Sequence, residues 1–227
     1  MTHLVTIARC TGAAYLGLAA AGMVGHLVLT TQLTAPGDPA ETLTRLHESP
    51  ALAHLMIVTE LLVVLTQALA AWGFFALFRR DHLVAAFGVA AFGMANALAI
   101  LVSTVFLATA VAVSADASLA AGWDAAATVG LLAALSAAAW QAGALFFGLW
   151  LIPMGLFAVR TARMPRVLGW ALIAGGVGYV LSALLAAVPM LAPLGEALAY
   201  LASVGEFWII GYLLSIGIRP ARGALTS

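Results

Sequence analysis

The chain has 227 residues, of which 64% are hydrophobic and 8% charged, with 9 Lys+Arg balancing 9 Asp+Glu. A soluble domain carries about 25% charged residues. This chain has too few to cover a water-facing surface, and its mean hydropathy of +1.11 marks an integral membrane protein. Zero net charge without a basic run excludes nucleic-acid binding, which needs clustered Lys and Arg on phosphates.

A hydrocarbon core about 30 Å thick takes roughly 20 apolar residues per helix. Spans of that kind are predicted near 10–32, 51–78, 84–112, 132–158, 168–188 and 197–217. A cleaved signal peptide is the alternative for the first, which Arg9 ahead of it permits, although its 23 residues exceed the apolar region of a secretory signal, about 7–15 residues. The single Cys10 within it cannot form an intrachain disulfide, and no apolar run precedes it as a lipoprotein signal requires. Ala35-Pro36-Gly37-Asp38-Pro39 closes this span, and residues 39–48 form a short connector helix. Arg79-Arg80-Asp81 separates the second span from the third, and the stretch Asp116 to Asp124 separates the third from the fourth. The Arg160-to-Arg166 segment and a Pro189–Pro193 turn mark the remaining junctions.

Every basic residue is Arg, and Arg resists translocation across the membrane. With both termini cytoplasmic, Arg9, Arg79, Arg80, Arg160, Arg163, Arg166, Arg219 and Arg222 fall inside and only Arg45 outside, a split of 8 to 1. An odd number of spans spoils that alternation. The expectation is therefore an all-α membrane protein: a single domain over 1–227, built as a bundle of six transmembrane helices with both termini in the cytoplasm.

Several segments together resemble a bacterial membrane family known as domain of unknown function 4386. They are Arg9-Cys10-Thr11-Gly12-Ala13-Ala14-Tyr15-Leu16, the Pro36-Gly37-Asp38 loop, Glu60, and Phe146-Phe147-Gly148-Leu149. Pro165-Arg166-Val167-Leu168-Gly169-Trp170, Gly176-Val177-Gly178-Tyr179 and Gly205-Glu206 complete the set. The resemblance covers about residues 9–217 and implies a six-pass architecture in a cell membrane, with no assigned chemistry. It also implies an altered site. The family often has a second acid seven residues after the first, where this chain has Gln67, and an Arg in the third helix, where it has Gly93.

Ionisable groups at membrane depth cost about 2.5–3.5 kcal/mol on insertion scales, so each is a candidate site. At about 1.5 Å rise per residue, Glu60, Glu206, His26, Gln141 and Tyr179 all fall roughly 9–14 Å below the outer edge. Residues three, four or seven apart share a helical side. Glu60 and Gln67 thus share one face, and Tyr15, Gly22 and His26 another. Gly93 falls with Asn96 and Ser103, Gln141 with Gly148 and Gly155, Gly176 with Tyr179, and Ala199 with Ser203 and Glu206. Small residues on these faces permit close helix approach in lipid. The expected site is a polar pocket in the outer half that binds or moves a small polar or cationic molecule. Its candidate ligand-binding residues are Glu60, Glu206, His26, Gln141, Tyr179 and Gln67.

Two other readings stay open. The polar groups can serve only as interhelical hydrogen bonds in a non-catalytic membrane subunit. A membrane-embedded enzyme is the third. His26, His54, Glu60 and Glu206 are zinc-ligand types, yet there is no HExxH, and Pro50 interrupts any helix joining His47 to His54. Motifs for a nucleophilic Ser or a phosphate loop are absent. No metal, cofactor or catalytic residue is therefore expected, and the anticipated partners are the lipid bilayer and a small ligand.

Overall fold

The computed structural model describes residues 2–219. The side chain of Ala199 and the whole of Arg222 lie outside the described residues, and so do the expectations attached to them. Helices run as α1 Thr2–Gly22, a π-helical stretch Met23–Leu29, α2 Thr30–Leu33, α3 Pro39–Glu48, α4 Pro50–Phe78, α5 Leu83–Ala115, α6 Ala125–Thr161, α7 Arg166–Leu185 and α8 Ala192–Ser215. Short 3-10 turns occupy Ala117–Ala120 and Pro189–Leu191, and no strand occurs among the described residues. Five of the helical stretches are long and apolar enough to cross a membrane: His3–Leu33, Pro50–Phe78, Leu83–Ala115, Ala125–Thr161 and Arg166–Leu185. The sixth predicted span corresponds to α8.

Several helices outrun their predicted bounds, because a backbone ladder needs no apolar side chains. The first starts at Thr2 instead of near residue 10. The fourth predicted span starts at Ala125 instead of near 132, where the Asp124 carboxylate accepts the Ala127 N–H at 2.7 Å and caps the free amides of the first turn. Asp38 does the same for α3, accepting the Glu41 N–H at 2.9 Å, with Pro39 preorganised in the first turn. α6 continues unbroken through Pro153.

Contacts between helices gather into two compact units, residues 2–16, 66–96 and 142–219 in the first and residues 17–65 and 97–141 in the second. In the first unit, α6 and α7 approach until backbones touch. A Cβ at Gly148 would stand 2.6 Å from the Gly176 carbonyl oxygen, and one at Gly176 would stand 2.7 Å from that of Gly148. At one end of this unit the buried Arg163 pairs with Asp81. Its Nε also donates to the Arg219 carbonyl at 2.8 Å, and its own carbonyl accepts the Arg219 N–H at 3.0 Å. The loop arginine expected simply on a cytoplasmic face is thus a structural tie between the α4–α5 turn, the α6–α7 turn and the chain after α8.

The second unit is built on Leu29, Leu33, Leu46, Met56, Leu107 and Val111 with small residues filled in around them. The loop after α2 is folded onto α3 by Thr42, whose Oγ1 accepts the Ala35 N–H at 3.0 Å. His47 Nδ1 lies 2.8 Å from the Ser114 carbonyl oxygen, joining α3 to the end of α5.

Candidate functional site

Within the second unit, a cavity of about 450 Å³ opens among the π-helical stretch, α4, α5, α6 and the loop at Pro36-Gly37. The π turn is one device that shapes it. Its wider ring departs from the 3.6-residue repeat, so the side assigned to Tyr15, Gly22 and His26 by that repeat does not continue unchanged past Met23. Gly25 lets the turn press against α4, since a Cβ there would stand 2.8 Å from Thr59 Oγ1. The Gly25 carbonyl is occupied by Thr30 Oγ1 at 3.0 Å.

The residue after Thr59 is Glu60, which lines the cavity and is 9% exposed. The hydroxyls of Thr104 and Ser103 face its carboxyl group, while Oε2 is buried and has no hydrogen-bond partner among the described residues. Ser103 and Ser136 bond to each other at 2.9 Å. His26 lies flat on Trp140, with ring centroids 5.0 Å apart and planes 3° from parallel. Both rings line the same cavity, and so do Ser103, Ser136 and Met56. Buried polar atoms in proteins almost always find a partner, and among the described residues Glu60 is the one with a buried, unpartnered side-chain atom that also lines this cavity.

The first unit contains a different arrangement. Tyr15 donates its hydroxyl to Glu206 Oε1 at 2.5 Å, and Tyr179 donates to Oε2 at 2.9 Å. Tyr15 is itself 1% exposed and packs edge-on against Trp150 and Phe74, with centroids 5.0 and 6.0 Å away. Phe147 flanks both Trp150 and Tyr179. Gln67 is wholly buried, and neither amide atom has a partner among the described residues. A Cβ at Gly93 would meet Ala71 Cβ at 2.8 Å and Gln67 Nε2 at 3.2 Å. The residues already present therefore fill the place where the family resemblance implies an Arg. Asn96 donates to the Gly143 carbonyl at 2.8 Å.

The six candidate residues thus divide. Glu60 and His26 line the cavity of the second unit. Glu206 and Tyr179 bond to each other in the first unit, where Gln67 is also buried. Gln141 is exposed and does not line the cavity. Sequence reasoning missed Ser136 and Trp140 as cavity residues. Their four-residue spacing on α6 puts both on one side of that helix, which is the signal the sequence holds; that this side meets Ser103 is decided by packing. Among the described residues no group of three or more His, Cys, Asp and Glu is placed to hold a metal ion.

All-helical architecture with five apolar helices of spanning length fits an integral membrane protein. The model of a family described as a domain of unknown function (DUF4386) matches residues 10–217, and the chain belongs to that family. No curated protein and no solved structure matches it.

Proposed function

We propose that this chain is a six-pass protein of a bacterial cytoplasmic membrane, both termini in the cytoplasm, that binds or moves a small polar or cationic molecule at the cavity around Glu60 and His26. In this reading α8 supplies the sixth pass. The 8-to-1 division of Arg supports the orientation, and the loop at Pro36-Gly37 then lies on the outer side.

One observation carries the binding reading. Glu60 Oε2 is buried without a partner in a residue that borders about 450 Å³ of open space. An unmade hydrogen bond of that kind costs about 1–3 kcal/mol, and a ligand that brings a donor recovers it. Cavities of about 300–1,000 Å³ are the usual size for small-molecule sites. Glu206 favours the packing role instead, because each of its oxygens already accepts a phenol hydroxyl.

The test compares Glu60→Gln with Glu206→Gln in the purified full chain, by thermal unfolding with and without a panel of small amines, alcohols and carboxylic acids. Glu60→Gln is expected to unfold near the parent temperature and to lose the parent's response to the panel. Glu206→Gln is expected to unfold at lower temperature with the response retained. A parent that responds to no member of the panel, together with a strongly destabilised Glu60→Gln, overturns the reading. Orientation is checked in a Cys10→Ser background: Leu119→Cys should react with an impermeant maleimide added outside intact cells, and Ala162→Cys should not.

A further inference from the structure

We propose that the ligand of this cavity is a protonated primary arylalkylamine: an ammonium group seated at Glu60, with a flat ring against the Trp140–His26 pair and a spacer of about two carbons between them. This rests on the reading of the cavity as a ligand site and adds the chemical class of the ligand.

Charge narrows the choice first. Glu60 is the one carboxyl among the residues lining the cavity, and neither Arg nor Lys lines it. An anion would meet a carboxyl group with no positive side chain of Arg or Lys beside it, which is disfavoured by charge repulsion. A cation gains an opposite charge, and in low dielectric that attraction is far larger than in water.

Hydrogen bonding narrows it further. The nearby hydroxyls are already committed in part: Ser103 pairs with Ser136 at 2.9 Å, and Thr104 Oγ1 donates to the Ile100 carbonyl at 2.9 Å. Oε2 is left needing a donor. A quaternary ammonium has none, whereas an –NH₃⁺ group has three. It can serve Oε2 and still reach the serine oxygens as acceptors.

Thr30, Thr34 and Thr42 also line the cavity, each with its hydroxyl donated to a backbone carbonyl, and most of the remaining wall is apolar or aromatic. Ala133, Ala134, Ala137, Leu107 and Met56 line it, so the body of the ligand is hydrocarbon. The ring of His26 lies face to face on the indole of Trp140, planes 3° from parallel and centroids 5.0 Å apart, and a further flat ring stacks with an offset on an outer face of such a pair. Ser136 and Trp140 are four residues apart on α6, about 6 Å along the helix axis. Ser136 is the partner of Ser103, which faces the Glu60 carboxyl. Trp140 thus lies about one helical turn along α6 from the serine that bonds Ser103, and an ethyl spacer between ring and nitrogen is the length chosen to span that step.

The experiment is isothermal titration of the full chain in lipid nanodiscs with four probes of one shape: 2-phenylethylamine, 2-phenylethanol, 3-phenylpropionate and trimethyl(2-phenylethyl)ammonium. Empty nanodiscs correct for partitioning into lipid. The amine is expected to bind about tenfold tighter than the alcohol or the quaternary ammonium, a difference of about 1.4 kcal/mol, and the carboxylate is expected not to bind. Glu60→Gln should bring the amine to the level of the alcohol, and Trp140→Leu should weaken the amine and the alcohol together. If Glu60→Gln fails to fold, the amine-to-alcohol ratio on the parent decides alone. Equal binding of amine and alcohol, both weakened by Trp140→Leu, overturns the ammonium assignment and leaves the cavity as a ligand site. An amine affinity that survives Trp140→Leu overturns the ring placement. No binding of any of the four at millimolar concentration overturns both the amine and the cavity reading beneath it.

Discussion

Replacing Tyr15 by Phe removes one oxygen atom and keeps the ring of that side chain. In the parent the hydroxyl sits 2.5 Å from Glu206 Oε1, on a residue 1% exposed, so water is not available to replace the bond. Interhelical hydrogen bonds in membrane proteins average about 0.6 kcal/mol in double-mutant cycles, with a maximum of about 1.7. Leaving a buried carboxyl oxygen unpaired costs about 1–3 kcal/mol. The short distance and complete burial place Tyr15→Phe near the upper end of the membrane range, about 1.5 kcal/mol. Tyr179→Phe, acting at 2.9 Å on the other oxygen, belongs nearer about 0.5–1 kcal/mol by the same comparison. Because the two phenols share one acceptor group, the double variant is expected to depart from additivity by at least about 0.5 kcal/mol. Reversible unfolding of the full chain in mixed micelles of increasing SDS content measures all four corners of the cycle. Losses under about 0.3 kcal/mol for Tyr15→Phe, or strict additivity within the scatter of about 0.3–0.5 kcal/mol expected of independent sites, would refute the view that Glu206 is held between two donors.

Three further outcomes follow from the geometry. Gly148→Ala sets a methyl 2.6 Å from the Gly176 carbonyl oxygen and 2.7 Å from the Val180 nitrogen; backbone cannot rotate away, so α6 and α7 must separate at a cost of about 1–3 kcal/mol, and an unchanged SDS midpoint contradicts the close packing. Gly25→Ala meets Thr59 Oγ1 at 2.8 Å, which should destabilise the chain by a similar overpacking cost, about 1–3 kcal/mol; adding Thr59→Ala should return part of it, whereas purely additive losses would show that the two side chains do not touch. Between α5 and α6, the Ser118 Oγ and N–H donate to Asp116 Oδ1 at 2.6 and 3.0 Å and hold this carboxyl below the usual aspartate range. A lowered folded-state value means that its small stabilising effect is present above the unfolded-state value and fades as pH falls through the folded one; Ser118→Ala should move the Asp116 midpoint upward by carbon-13 NMR of the labelled carboxyl, and an unmoved midpoint rejects the hydroxyl as the cause.

Much of the chain is legible without coordinates because its signals are local. Long apolar runs announce helices of spanning length, and turn chemistry at Ala35–Pro39 marks a loop whose first helical residue and cap are Pro39 and Asp38. The helix ends were less legible. Apolar content measures what lipid tolerates, whereas backbone hydrogen bonding carries α1 back to Thr2 and α6 back to Ala125.

Glu60 and Glu206 mark where local reasoning stops. Each is the single acid of its predicted span, 51–78 and 197–217, and the rise per residue places them at similar depth, so by sequence alone they are equivalent. Their surroundings are opposite: Glu206 accepts two phenol hydroxyls, and Glu60 keeps an oxygen free beside an open cavity. Helical periodicity states which residues share a side of one helix but carries no information about which side of another helix meets it. That pairing depends on small residues such as Gly25 and Gly148, on the π turn at Met23–Leu29 and on buried ties such as Arg163 to Asp81. The sequence on its own therefore decided the solvent this protein lives in and the residues able to act there. Tertiary packing decided which acid is satisfied and which is left to receive a partner, because hydrogen bonds between distant segments exist only once the helices are in place.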